Sequence, residues 1–309
     1  MITAGIITFE PDIERLRENL NAISSQVLQV LIYDNGSSNS VEIANLADVS
    51  SNTKVIFSAA NEGVATGLNR LAEAALNLGA ASLLTLDQDS VCSPGMVSAL
   101  AAELVDGIGM VTPYIVDRNK QTIEEYRRLD LPRLDRYRQP ARKGAITSGA
   151  LLDLSAWRNV GGFDETFFID YVDYDFNQRL MEAGYAILRV NSTALLHEVG
   201  RATPTWLRVP RKDLAGRWHI ERFFAFGHSP ARCYYKARNR ILFTRKHGRN
   251  LGFTHEGIWQ IPQQIALTLL FERQRVAKLE GFARGIRDGL RMSLDHEEDR
   301  YLTASLREE

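Results

Sequence analysis

The first two-thirds of the chain alternate short β-rich runs with segments of helical periodicity, and no other feature narrows the fold as far. Strands are predicted at 4–9, 28–33, 54–58, 82–86, 109–113, 145–152 and 186–190. Between them Ile13, Leu16, Leu20 and Ile23 recur at helical spacing. The stretch 61–78 puts Leu68, Leu71, Ala75 and Leu78 on one side and stops at Gly79. A helix at 173–183 closes at Gly184, and 115–143 reads as an irregular, charged excursion. Strands alternating with helices imply an α/β fold, a mostly parallel sheet flanked by helices. In such sheets ligands sit at the carboxyl ends of strands. Two polar runs fall there, Asp34-Asn35-Gly36-Ser37-Ser38 and Asp87-Gln88-Asp89-Ser90.

Beyond about residue 203 the alternation stops and the sequence turns basic. Residues 201–250 hold 13 Lys/Arg against 2 Asp/Glu, although the 309-residue chain has a net charge of −1. Over 256–294, Ile258, Ile261, Ile265, Leu269, Val276, Leu279, Phe282, Ile286 and Leu290 keep helix-like spacing. The expectation is a catalytic domain over 1–200 and a mainly helical region over 201–309, serving as acceptor site, membrane surface or dimer contact. Overall neutrality and the lack of a recognisable module argue against nucleic acid. Cys92 and Cys233 fit no metal or disulfide pattern, which points to a reducing compartment. The opening Thr3–Thr8 lacks a basic leader and a long apolar core, and the apolar run at 265–271 is too short to span a bilayer. The expected location is the cytoplasm, with peripheral contact at the inner face of the cell membrane as an option left open by the basic stretch.

Five constellations carry chemistry. Asp87 and Asp89, at i and i+2 where an apolar strand ends, suit Mg²⁺ or Mn²⁺ completed by phosphate oxygens; a solvated turn is the plain alternative. Asp170, Asp173 and Asp175 cluster among aromatics before a helix. Asp173 suits an N-cap there, yet three acids exceed what capping needs, and a partly desolvated carboxylate makes a general base. His197, after an apolar run, is either structural or a third metal ligand. Asn61, Gly63 and Asn69 open a helix, either as turn and cap or as groups facing a ligand. In the basic block, Tyr235, Lys236 and Arg238 fit a solvated helix face or a phosphate or acceptor clamp. No Gly-rich dinucleotide fingerprint and no phosphate-binding P-loop occurs.

The order of these signals resembles family 2 glycosyltransferases of GT-A fold: Thr8-Phe9, Asp34-Asn35-Gly36-Ser37, Asn61-Glu62-Gly63 with Asn69, Asp87-Gln88-Asp89, Thr147-Ser148-Gly149-Ala150, Gly161-Gly162-Phe163-Asp164-Glu165, the Asp170–Asp175 cluster and His197. The wording around Asp87, Asp173 and Tyr234–Arg240 is similar to rhamnosyltransferases that use dTDP-L-rhamnose. The resemblance implies that Thr8, Phe9 and Asp34 frame the base and ribose, and that Asn61, Gly63 and Asn69 line the nucleotide cleft. It implies that Asp87 meets both nucleotide and metal, that Asp89 and His197 bind the metal, and that Asp173 is the base. Where many members have Glu-Asp, this chain has Val172-Asp173, which leaves Asp170 a rival. The implied activity is inverting, metal-dependent transfer of a sugar to a saccharide or lipid-linked saccharide. The alternatives are a UDP-hexose donor or a catalytically silent assembly subunit.

Overall fold

A computed structural model describes residues 1–119, 121–138, 144–198, 203–212, 218–225, 227–251 and 260–294. The chain divides near residue 200 into two compact units. The first contains β1 (Ile2–Thr8), α1 (Ile13–Ile23), β2 (Gln29–Asp34), α2 (Ser40–Asp48), β3 (Thr53–Phe57), α3 (Val64–Asn77), β4 (Ser82–Asp87), β5 (Val91–Cys92), α4 (Met96–Ala101), β6 (Ile108–Asp117), α5 (Ile123–Arg127), β7 (Leu134–Arg136), β8 (Ala150–Asp153), α6 (Leu154–Asn159), α7 (Val172–Glu182) and β9 (Ala186–His197).

Period-two alternation builds the layers. In β1, Ala4 and Ile6 join a core with Leu16, Leu20 and Ile23 of α1, Ile43 of α2 and Met96, Val97 and Leu100 of α4. The intervening Gly5 and Ile7 meet α3 on the other face: a Cβ on Gly5 would lie 3.1 Å from Leu71, and one on Gly67 would lie 3.3 Å from Ile7. Helices on both faces bury the strands, as the alternation implies.

The sheet order is β3-β2-β1-β4-β8-β6-β9-β5, with β7 pairing β9. β3, β2, β1 and β4 are parallel. The second half is more mixed than the alternation suggests: β8 runs antiparallel to β4 and β6, and β9 is parallel to β6 but antiparallel to β5 and β7. The excursion at 115–143 is likewise more ordered than its charge suggests, for it contains the end of β6, then α5 and β7. Tyr114 and Tyr126 stack there at 5.0 Å. The strand expected at 186–190 continues to His197, because β5 pairs with its far end.

The second unit holds β10 (Thr203–Lys212), β11 (Trp218–Ala225), α8 (Pro230–Leu251), α9 (Gln260–Phe271) and α10 (Arg275–Arg291). The antiparallel β10–β11 pair is an element that the mainly helical reading of this region did not contain. Pro204 and Pro210 hide this strand from propensity, but a two-stranded pair leaves an open edge where proline is tolerated. The long helical pattern is also cut in two, with Gln274 at φ 55 between α9 and α10; Ile258 and residues 295–309 lie outside the described residues. On α10, Gly281, Gly285 and Gly289 form one stripe, and a Cβ on any of them would come within 3 Å of α8 carbonyl oxygens. Among the described residues no helix is long and apolar enough to cross a membrane.

Candidate active site

The carboxyl ends of β4 and β9 meet through β5. Val91 pairs with Leu196 and Cys92 with Leu195, so a short strand after Asp89 draws the end of β9 to the end of β4. Ligand atoms of Asp87, Asp89 and His197 all lie within 4.8 Å of one another. His197 Nδ1 is 3.8 Å from Asp87 Oδ2. Burial, and then the neighbouring charge of Asp87, hold the Asp89 carboxyl above the ordinary carboxylate range. Asp89 Oδ1 is buried without a hydrogen-bond partner. Two carboxylates and an imidazole around an unsatisfied buried oxygen fit a divalent cation, which would remove both penalties.

Two serines missed by the sequence reasoning hold this cluster. The Asp87 N–H donates to Ser148 Oγ at 3.2 Å, Ser148 and Ser90 hydroxyls lie 2.7 Å apart, and Ser90 Oγ is 3.2 Å from His197 Nδ1. Both serines are buried. Their signal was position alone, Ser90 after the Asp pair and Ser148 before β8. Asn19 of α1 also donates to the Asp87 carbonyl at 2.7 Å.

Beside this cluster, the loops after β1 and β2 are locked together. Asp34 is 1% exposed, and its Oδ1 accepts from Thr8 Oγ1 at 3.1 Å and from Ser37. The Phe9 N–H donates to Gln88 Oε1 at 2.9 Å while its ring stays 45% exposed, free to meet a flat ligand. Asn35 donates to the Gly63 carbonyl and accepts from the Glu62 N–H, and Asn61 Oδ1 accepts from the Gly63 N–H. Gly63 sits at φ 91, where a Cβ would come 2.7 Å from the Phe168 carbonyl oxygen. Only glycine fits that close approach.

The approach matters because Phe168 precedes the acidic cluster. The Val64 N–H donates to the Phe168 carbonyl at 2.7 Å, tying the start of α3 to the turn before α7. Asp170 and Tyr171 then take left-handed conformations, φ 62 and 69, and α7 begins at Val172. Two consecutive non-glycine residues in that region are strained, and such strain persists where surrounding packing enforces it. The N-cap is thus Tyr171, not Asp173, because Asp173 already lies in the first helical turn. Burial pushes the Asp173 carboxyl up to about 7, against the bond from Tyr174 N–H; the charges of Asp170 and Asp87 add to the rise. Val172, which precedes Asp173, is buried. Asp175 is fully buried and pairs with Arg179 at 2.8 Å, and Arg179 also bonds the Val160 and Gly162 carbonyls.

Asn69 is engaged within the chain. It is 7% exposed; its Oδ1 accepts from the Phe163 N–H, and its Nδ2 donates to the Phe163 carbonyl and to Glu165. It braces the Gly161-Gly162 turn.

In the second unit, Arg238 is buried and lies over the rings of Tyr235 and Tyr234, 4.8 and 5.6 Å from their centroids. Lys236 Nζ is 2.6 Å from His228 Nε2.

The sequence matches the profile of Glycosyl transferase family 2 over residues 4–158 and that of Glycosyl transferase family group 2 over 82–271. It is 24% identical over 256 residues to the dTDP-rhamnosyl transferase RfbF of Shigella flexneri, covering 80% of each chain. It is 27% identical over 227 residues to an N-acetylglucosaminyl-diphospho-decaprenol L-rhamnosyltransferase of Mycobacterium tuberculosis, covering 62% of this chain and 74% of that one. Solved structures share the fold. S. aureus TarS 1–349 in complex with UDP-GlcNAc aligns with a TM-score of 0.56 at 13% identity, over 93% of this chain and 80% of that one. GalNAc-T7 with UDP, GalNAc and Mn²⁺ aligns at 0.52 and 12%, over 93% and 56%. Its family profile, its rhamnosyltransferase relatives and its GT-A architecture make this chain a nucleotide-sugar glycosyltransferase that belongs to glycosyltransferase family 2.

Proposed function

We propose that the enzyme transfers L-rhamnose from dTDP-β-L-rhamnose to a hydroxyl of a saccharide or lipid-linked saccharide in cell-surface polysaccharide synthesis, inverting the anomeric centre. The names of the two relatives support the donor class. One arrangement carries the chemistry: Asp173 lies in the first turn of α7, directly after the left-handed pair Asp170 and Tyr171, and burial there pushes its carboxyl up to about 7, with the charges of Asp170 and Asp87 adding to the rise. A base poised near neutrality suits removal of an alcohol proton in the transition state.

In this reading Thr8, Phe9, Asp34, Asn61 and Gly63 frame the base and ribose, with Thr8 and Asp34 shaping the pocket floor. Asp87, Asp89 and His197 would hold a divalent cation, Mg²⁺ or Mn²⁺, and such an ion would supply Lewis-acid neutralisation of the diphosphate charge. Asp173 takes the acceptor O–H proton as that oxygen attacks the anomeric carbon. The new C–O bond forms as the bond to the diphosphate breaks, and the diphosphate leaves with the electron pair. Attack comes from the face opposite the leaving group, so a β-L-donor gives an α-linkage. The transition state is oxocarbenium-like, as in glycoside hydrolysis. Asp170 sits beside Asp173 and is the second candidate base. Tyr235, Lys236 and Arg238 are assigned to phosphate or acceptor contacts.

The test is calorimetric titration of dTDP, UDP and GDP with and without Mg²⁺ or Mn²⁺, followed by turnover of Asp173→Asn and Asp170→Asn. Metal-dependent, dTDP-selective binding with turnover lost only in Asp173→Asn supports the reading. Preference for UDP removes rhamnose as the donor; near-normal turnover of Asp173→Asn removes Asp173 as the base.

A further inference from the structure

In the second unit, β10 and β11 pair only with each other. Register places Pro204 opposite Phe224, Arg208 opposite Arg222 and Pro210 opposite Ile220, so each pair shares a face. The inner face is anchored through Phe223, whose ring lies 5.9 Å from Phe271 of α9; Trp206, inside the register shift between Pro204 and Arg208, touches the same ring at 5.4 Å yet stays 76% exposed. The outer face is apolar and open. Trp206, Trp218 and Ile220 are 76, 69 and 71% exposed. Single exposed apolar residues are ordinary; two tryptophans and an isoleucine on one eight-to-ten-residue pair are not.

The charge on that face is one-sided. Arg208 and Arg222 are exposed and directly opposite one another, and neither has an ion-pair partner among the described residues. Like charges facing across a ladder are destabilising, and an anion between them removes the penalty. Glu221 pairs with Val209, which puts it on the opposite face. Tryptophan belongs where apolar chains meet polar headgroups, and arginine pairs with headgroup phosphates. Exposed tryptophans interleaved with arginines match a headgroup layer better than a folded ligand.

We infer that the outer face of β10–β11 docks on an anionic lipid surface, with Arg208 and Arg222 on headgroup phosphates and Trp206, Trp218 and Ile220 in the interfacial layer. The inference extends the reading of a lipid-linked acceptor, but its test needs neither donor nor acceptor and so fails separately from it. The full chain is cosedimented with vesicles of phosphatidylcholine alone and of phosphatidylcholine with phosphatidylglycerol. The expected result is selective, salt-sensitive binding to the phosphatidylglycerol vesicles. Arg208→Gln with Arg222→Gln should weaken partitioning about 30-fold, roughly fivefold for each arginine. Trp206→Ala with Trp218→Ala should lose it on both vesicle types. Circular dichroism checks that both variants fold, and if either does not, the wild-type comparison decides. Equal binding to both vesicle types, no binding by the wild type, or full binding by folded variants overturns the inference. So does a tryptophan variant that turns a dimer into a monomer in sedimentation velocity while vesicle binding is unchanged, for the face would then join two copies of the chain.

Discussion

Asp173 offers the sharpest residue-scale tests. Its carboxyl titrates near 7 in the folded chain and at about 3.8 when unfolded, so the native state holds a proton that the unfolded state has released between these values. Stability carried by that proton is present below pH 4 and disappears as pH rises through 7. Asp173→Asn should therefore raise the melting temperature of the metal-free protein at pH 8, by an amount worth on the order of 1–3 kcal/mol, and change it little at pH 4. Calorimetric melting at both pH values checks this; an equal shift at both would show that burial does not cause the rise. Turnover runs the other way, because a base must be deprotonated: kcat should fall as pH drops below about 7. At Asp89 the unsatisfied Oδ1 makes a separate prediction. Mn²⁺ should raise the melting temperature of the wild type, by about 2.7 kcal/mol of stability at a hundredfold excess over Kd, and leave Asp89→Asn unmoved.

At the scale of elements, the site depends on close backbone approaches. Gly63→Ala must carry φ 91 with its Cβ 2.7 Å from the Phe168 carbonyl, at a cost of about 2–4 kcal/mol. Because Phe168 leads into the strained turn at Asp170 and Tyr171, nucleotide affinity should fall along with stability; urea unfolding and dTDP titration measure the two. In the second unit, Gly285 lies within a helix, where alanine is ordinarily better by about 1 kcal/mol. Its Cβ would instead collide with the Tyr234 carbonyl, so Gly285→Ala should destabilise. A rise in melting temperature would show that α8 and α10 are not in contact there. Gly63 stood out in the sequence as a helix-opening residue and Gly285 did not, but what requires either is a partner backbone far away in sequence.

At the scale of the whole molecule, charge is segregated: the basic block at 201–250 falls in the second unit, and the acidic metal cluster in the first. Attraction between clustered exposed arginines and an anionic surface weakens with salt. Among the predictions made above, vesicle binding should therefore fall steeply with ionic strength, while metal-dependent nucleotide binding, made through close contacts, should fall less. Parallel titrations at low and high salt separate the two; an equal loss would mean both are driven by surface charge.

The sequence alone determined the α/β architecture, since alternation of strand and helix patterns is local, and it determined the Asp87–Asp89 pair, because both residues sit on one strand end. It also marked His197 and Asp173 as chemically capable residues without saying what they face. Tertiary structure decided the rest. His197 comes within reach of Asp89 only because two-residue β5 pairs with the far end of β9. Asn69 braces the Gly161-Gly162 turn because Phe163, 94 residues away, occupies its amide. The strand pair at β10–β11 forms despite its prolines because each strand needs only one partner. In each case the deciding contact joins segments whose patterns are complete on their own, so no local pattern records it.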